Sequence, residues 1–183
     1  MLLLEGYRLV RIWGGDADPA VQQLIRQVAL LRRDVWLAEG KRTPGDDEEA
    51  GWCEPEDAIG HHVLVTWQES LVGAARMSLH QTVNELPDRS LYVGLETRLR
   101  PPLASLNRLV THPDQRGQGL SRVILVDQLA HASELGVATV VLDCPLSSVT
   151  YHQGMGFEVI RAAQPGQVFP DLEWVVMARR LGH

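Results

Sequence analysis

Asn107-Arg108-Leu109-Val110-Thr111-His112-Pro113-Asp114-Gln115-Arg116-Gly117-Gln118-Gly119-Leu120-Ser121-Arg122 decides more about this chain than any other stretch. Its first five residues read as the end of a strand. His112 to Gly119 forms a turn with two closely spaced glycines, and a helical run begins at Leu120. Glycine tolerates the positive φ angles that aim successive main-chain N–H groups into one concavity. The unbonded N–H groups and positive dipole end of the helix belong to the same concavity. A strand, a glycine turn and a helix mouth in this order make an anion site, and phosphate is the expected guest.

Two familiar phosphate loops are excluded by their own chemistry. A Walker loop requires Gly-Lys-Ser/Thr, because lysine and hydroxyl meet the terminal phosphates and magnesium. Gly119 is followed here by Leu120-Ser121, with no lysine. The dinucleotide fingerprint Gly-x-Gly-x-x-Gly would need its third glycine where Arg122 stands.

The segment resembles the pyrophosphate loop of the GNAT superfamily, the acyl-coenzyme A-dependent N-acetyltransferases. That signature is Gln or Arg, two residues, Gly, one residue, then Gly or Ala. Arg116-Gly117-Gln118-Gly119-Leu120-Ser121 follows it, with Ser121 in the small final place. Leu109-Val110-Thr111-His112-Pro113 is similar to the family's strand end and lead-in, and Met155-Gly156-Phe157 to its late Leu-Gly-Phe. The core signature spans residues 105–160.

The resemblance implies an α/β (α+β) GNAT fold over 1–183 as a single acetyltransferase domain. It implies a mixed, mostly antiparallel central sheet of six to seven strands flanked by about four helices. The implied reaction moves an acetyl group from acetyl-CoA to a primary amine by direct attack in a ternary complex, with no metal. Leu109, Val110 and Thr111 would run beside the pantetheine, and a main-chain N–H near Val110 or Thr111 would polarise the thioester carbonyl. Gly117, Gln118, Gly119, Leu120 and Ser121 would hold the diphosphate, with Arg116 and Arg122 as candidate side-chain contacts. Counting back five residues from Phe157, the place of the leaving-group acid falls on His152, with Tyr151 beside it. Adjacent helical residues point about 100° apart, so only one of the two can aim at the sulfur. Pro145 stands where the family often has an asparagine. The acceptor would be a small-molecule or peptide amine, and a homodimer is compatible with the family's habits.

Composition agrees. The chain has 183 residues, 45% of them hydrophobic, and a net charge of −6. Its length fits one domain. Scattered arginines on an acidic chain argue against a nucleic-acid partner. Cys53 and Cys144 are too few for a disulfide framework. Met1-Leu2-Leu3-Leu4 is too short for a signal segment and no later apolar run would span a bilayer, so the expected location is the cytoplasm. No His/Cys spacing suggests zinc.

Periodicity supplies the elements. Tyr7 to Trp13 alternates as a strand, and Asp18-Pro19 starts a helix with an N-cap and a proline at its first position. Val21, Leu24, Ile25, Val28, Leu31 and Val35 mark its buried face. Lys41 to Gly60 reads as a long acidic loop with room for a short helix. His61 to Trp67 and Ser70 to His80 form a hairpin about Gln68-Glu69. Gln81 to Pro102 is irregular, with Leu91 to Leu95 extended, and Leu103 to Thr111 is the central strand. The next helix buries Leu125, Val126, Leu129, Ala130 and Ala132, and turns Asp127, Gln128, His131 and Glu134 outward. Strands over Ala138 to Asp143, Gly156 to Ile160 and Leu172 to Arg179 follow, with a short helix at Ser147 to Gln153.

Other chemistry is less defined. Glu96, Asp143, Glu85 and the pair His61-His62 are candidate general bases, and a histidine pair at a strand start reads as solvated. Cys144 invites an acyl-cysteine route, but a cysteine behind an apolar strand is ordinarily core filler. The acids at Asp46 to Glu49 and Glu54 to Asp57 would favour a cationic acceptor, or form a solvated charge run. Two rivals share the fold. Arg33-Asp34-Val35-Trp36 and Arg76 resemble residues of autoinducer and N-acyl amino acid synthases, which use longer acyl chains. A non-catalytic acyl-CoA-binding regulatory module is the other.

Overall fold

The structure is a computed structural model that describes residues 5–41, 51–165 and 172–182. Its strands are β1 (Tyr7–Trp13), β2 (His61–Trp67), β3 (Ser70–His80), β4 (Leu103–Thr111), β5 (Thr139–Pro145), β6 (Glu158–Pro165) and β7 (Glu173–Arg180). They form one seven-stranded sheet in the order β1-β2-β3-β4-β5-β7-β6. Among the described residues the α-helices are α1 (Pro19–Ala38), α2 (Leu120–Glu134) and α3 (Val149–Gln153). The short helix expected in the acidic loop is a single 3-10 turn at Pro55–Ala58.

β1 with β2, β2 with β3, β5 with β7 and β6 with β7 are antiparallel. β4 and β5 are parallel, in register over Leu103↔Thr139 to Ser105↔Val141, and α2 is their crossover. Such a crossover is what parallel neighbours require. The hairpin turn has positive φ at both Gln68 (46°) and Glu69 (68°), the geometry that matches the twist of paired strands. Within β4, Arg108 also has a positive φ of 56°, which interrupts the regular extension of the strand.

The residues cluster into two compact units, 1–78 with 108–128, and 79–107 with 129–183. In the first unit, Asp18 caps α1 by accepting the Ala20 N–H at 2.8 Å. The apolar face of α1 (Val28, Leu31, Val35) covers Leu64, Ala74 and Val110. Leu120 and Ile124 of α2 cover Val63, Val65, Val72 and Ala75. In the second unit, Leu103, Val141, Val176 and Ala178 are covered by Val83, Leu86, Leu91, Tyr92, Leu95 and Leu99.

Two expectations need correction. Leu91 to Leu95 is not extended: Arg89–Leu91 is a 3-10 turn, and the segment coils so that Leu91, Tyr92 and Leu95 all enter the core. On α2 the buried line is Leu120, Ile124, Leu125, Gln128, Leu129 and Ala132, while Val126 and Ala130 are exposed. Gln128 lies four residues from both Ile124 and Ala132 and shares their buried face.

Candidate active site

β4 ends at Thr111, and the His112 N–H donates to the Val72 carbonyl at 2.8 Å, tying the strand end to β3. A 3-10 turn at Pro113–Gln115 leads to Arg116. Gly117 and Gly119 then take φ of 78° and 75°, the left-handed conformation the sequence pattern requires. The first helical bonds of α2 run from Arg122 and Val123 N–H to the Gly119 carbonyl. Among the described residues no acceptor receives the N–H of Gly117, Gln118, Gly119, Leu120 or Ser121. Five consecutive donors are therefore open at a helix mouth. Nothing lies within 4 Å of where a Cβ would stand on either glycine. The Thr111 and Ser121 hydroxyls are bonded at 3.2 Å, joining the strand end to the first turn of α2.

The two arginines differ. Arg116 is paired with Glu39, at the C-cap of α1, at 2.6 Å. Arg122 is exposed and has no ion-pair partner among the described residues. Leu109 is partly buried and packs toward α2, while Val110 is buried toward α1.

His152 and Tyr151 lie in the second unit, on α3. The two differ in burial: His152 is 8% exposed and Tyr151 is 38% exposed. The His152 ring sits edge-on between Tyr151 (5.0 Å) and Phe157 (5.9 Å). Burial lowers its pKa below the usual histidine value, so the ring is neutral near pH 7. Its Nδ1 is buried without a hydrogen-bond partner. The physical reason is helix length. α3 spans only Val149–Gln153 and is followed by Gly154, so its inward face is one residue wide, and His152 occupies it.

Of the base candidates, Glu85 and Glu96 spend their carboxylates on the Gln81 and Gly94 N–H groups. His62 is not solvated: it is fully buried on β2, with Nε2 3.0 Å from the Asp57 carbonyl, and burial lowers its pKa. A partly buried chain that the sequence did not signal runs from His80 Nε2 to Ser105 Oγ at 2.9 Å, and from there to Asn107 Oδ1 at 3.2 Å. Cys144 is buried against Met177, and burial, with Asp143 nearby, pushes its thiol up to about 12. Cys53 is exposed. Among the described residues no group of His, Cys, Asp and Glu could hold a metal ion. No described helix is long and apolar enough to cross a membrane.

The larger surprise is a buried ionic network in the first unit. Asp57 is 2% exposed and receives Arg32 through both carboxylate oxygens, at 2.9 and 3.1 Å, and Arg76 at 2.9 Å. Glu54 takes Arg76 at 2.9 Å and Arg108 at 2.6 Å. Trp52 lies under the Arg108 guanidinium, 4.6 Å from its ring centroid, and also faces Arg32. Gly14 permits the tight approach, since a Cβ there would stand 1.8 Å from the Asp57 carbonyl oxygen. Burial alone would raise the Asp57 pKa, but Arg32 and Arg76 outweigh it and hold the carboxyl at about 2. Glu54 is lowered too, burial being opposed by Arg108, Arg76 and Arg32. Two of the acids read as solvated or as an attraction for a cationic substrate are therefore already neutralised. Asp46 to Glu49 lie outside the described residues.

These features define a class of fold. The chain has the fold of the GNAT acyl-coenzyme A N-acyltransferases. It superimposes on an acyl-CoA N-acyltransferase from Pseudomonas aeruginosa with a TM-score of 0.66 at 18% identity, covering 94% of this chain and 99% of that one. FeeM, an N-acyl amino acid synthase from uncultured soil microbes, gives 0.69 at 16% identity, with 95% and 91% covered. BjaI, a CoA-dependent acyl-homoserine lactone synthase solved with SAM and isopentyl-CoA, gives 0.73 at 16% identity, with 97% and 85% covered. No protein-family profile matches the sequence, and no curated protein is similar to it in sequence.

Proposed function

We propose that residues 1–183 act as one acyltransferase domain that moves an acetyl group from acetyl-CoA to a primary amine, by direct attack in a ternary complex. The observation that carries this is the run of five open main-chain N–H groups from Gly117 to Ser121 at the start of α2. Fixed donors at a helix mouth suit a diphosphate better than any single cationic side chain does. Of the flanking cations, Arg122 is the better candidate contact, because Arg116 is engaged with Glu39.

The amine nitrogen attacks the thioester carbon, the new C–N bond forms and the C–S bond breaks. The nitrogen loses a proton to solvent, and the departing thiolate receives one. Tyr151 is the proposed donor to sulfur, because its phenol is the exposed member of the pair. His152, neutral and edge-on beneath it, is the proposed positioning residue. A single proton donor contributes about 10²–10⁴-fold to rate. Tyr151→Phe is accordingly expected to lower kcat by about a hundredfold, with KM for acyl-CoA unchanged. A larger loss in His152→Gln than in Tyr151→Phe would reverse the two roles. The Cys144 thiol, held up at about 12, supports direct transfer over an acyl-cysteine intermediate.

A longer acyl donor is the second reading, favoured by the TM-scores of 0.69 and 0.73 against the two synthases. One experiment tests both. Acetyl-, octanoyl- and palmitoyl-thioesters are offered with a broad panel of primary amines, and free thiol is followed. Acetyl preference supports the first assignment and octanoyl or palmitoyl preference the second. Tight acyl-CoA binding without turnover of any amine would make the chain a binding module.

A further inference from the structure

A polar cavity lies wholly within the second unit, lined by residues remote in sequence from the glycine loop. It measures about 490 Å³ and is lined by Thr97, Arg98, Glu158, Arg179 and Arg180, with Thr139, Gly156, Ile160 and Ala178. Three guanidinium-bearing residues and one carboxylate line it, a local surplus of positive charge on a chain whose net charge is −6. Among the described residues, no carboxylate comes within 4 Å of Arg98, Arg179 or Arg180, and Glu158 pairs with no cation.

Two of the arginines are already oriented. Arg98 Nη1 donates to the Ile160 carbonyl at 2.7 Å, and Arg179 Nη1 donates to the Met155 carbonyl at 2.6 Å. A guanidinium has five N–H donors in a rigid fork. One bond to a carbonyl fixes the plane and leaves the other donors for a ligand. Holding the side chain beforehand reduces the ordering cost of binding. The volume falls within the range of small-molecule sites, about 300–1,000 Å³. We propose that this cavity binds a small polyanion, one carrying at least two phosphate or carboxylate charges, at a site separate from the glycine loop. This inference is independent of the acyl-CoA assignment.

Inorganic pyrophosphate and citrate serve as probes, titrated calorimetrically into the full chain at constant ionic strength. Pyrophosphate would also enter the glycine loop, so the decisive protein is Gly119→Glu, whose loop carries a negative charge. Gly119→Glu is expected to retain one site for at least one probe, and Arg98→Gln/Arg180→Gln in that background to weaken it at least tenfold. Both arginines are exposed, so the double variant should unfold at the same temperature as its parent. Stronger pyrophosphate binding marks a phosphate ligand, and stronger citrate binding a polycarboxylate. Absence of binding to Gly119→Glu by either probe, or binding undiminished by the arginine changes, would overturn the proposal. Loss of acyl-CoA binding in wild type, with this site intact, would count only against the function proposed above.

Discussion

Gly119→Glu is expected to weaken acyl-CoA binding by at least a hundredfold while leaving the protein folded. Three effects act together. The carboxylate places a negative charge where five open N–H groups otherwise face the ligand. The side chain occupies the approach path, which is empty of protein atoms within 4 Å of the Cβ position. The backbone must hold φ of 75°, which costs a non-glycine residue about 1–2 kcal/mol. Only the last effect touches stability, because the added atoms meet no neighbour. Gly119→Ala separates the contributions: it carries the backbone cost without the charge, and should bind acyl-CoA within about tenfold of wild type. Calorimetric titration with acetyl-CoA, alongside a thermal melt of each variant, measures both. Undiminished affinity in Gly119→Glu would remove the basis for a coenzyme site here.

The largest stability effect is expected from Asp57→Asn. The substitution keeps the shape and removes the charge that Arg32 and Arg76 share. Arg32 is fully buried and Arg76 is 2% exposed, so neither guanidinium can turn to water. Breaking a buried pair from one side costs about 3–5 kcal/mol, because the abandoned charge stays desolvated. For a chain of this size that is on the order of a 10 °C fall in melting temperature. Acid should produce part of the same effect in wild type. The Asp57 carboxyl has a folded pKa of about 2 against an ordinary 3.8, so its contribution is complete above the ordinary value and is lost as pH falls towards 2. That difference corresponds to about 2 kcal/mol. Denaturant melts between pH 5 and pH 2 should show this loss in wild type and a shallower one in Asp57→Asn. Equal acid sensitivity in the two proteins would show that other carboxylates dominate.

The fold was legible where one period or one turn dictated the answer. The hairpin β2–β3, the central strand β4 and the span of α2 all follow from alternation, a two-residue turn and the glycine loop. The segment before β4 was opaque because its leucines pack from a coiled backbone, which has no period to read. The open N–H groups could be anticipated because main-chain geometry depends on glycine and not on neighbours far along the chain. The ionic network could not. Arg32 looks like one more polar residue of an amphipathic helix, and Glu54 and Asp57 like part of an acidic loop. Only the approach of α1, β3 and β4 makes them partners. The burial of His152 over Tyr151 was hidden for a similar reason: in a helix of one and a half turns, heptad-style faces do not exist.

The contrast between the two thiols has a practical consequence. Cys53 is open to solvent and stands between Trp52 and Glu54, while Cys144 is enclosed beside Met177. A maleimide dye or nitroxide will therefore attach at one place without any engineering. The label would sit at the rim of the arginine–carboxylate assembly, as a built-in reporter of whether that assembly loosens when substrates arrive.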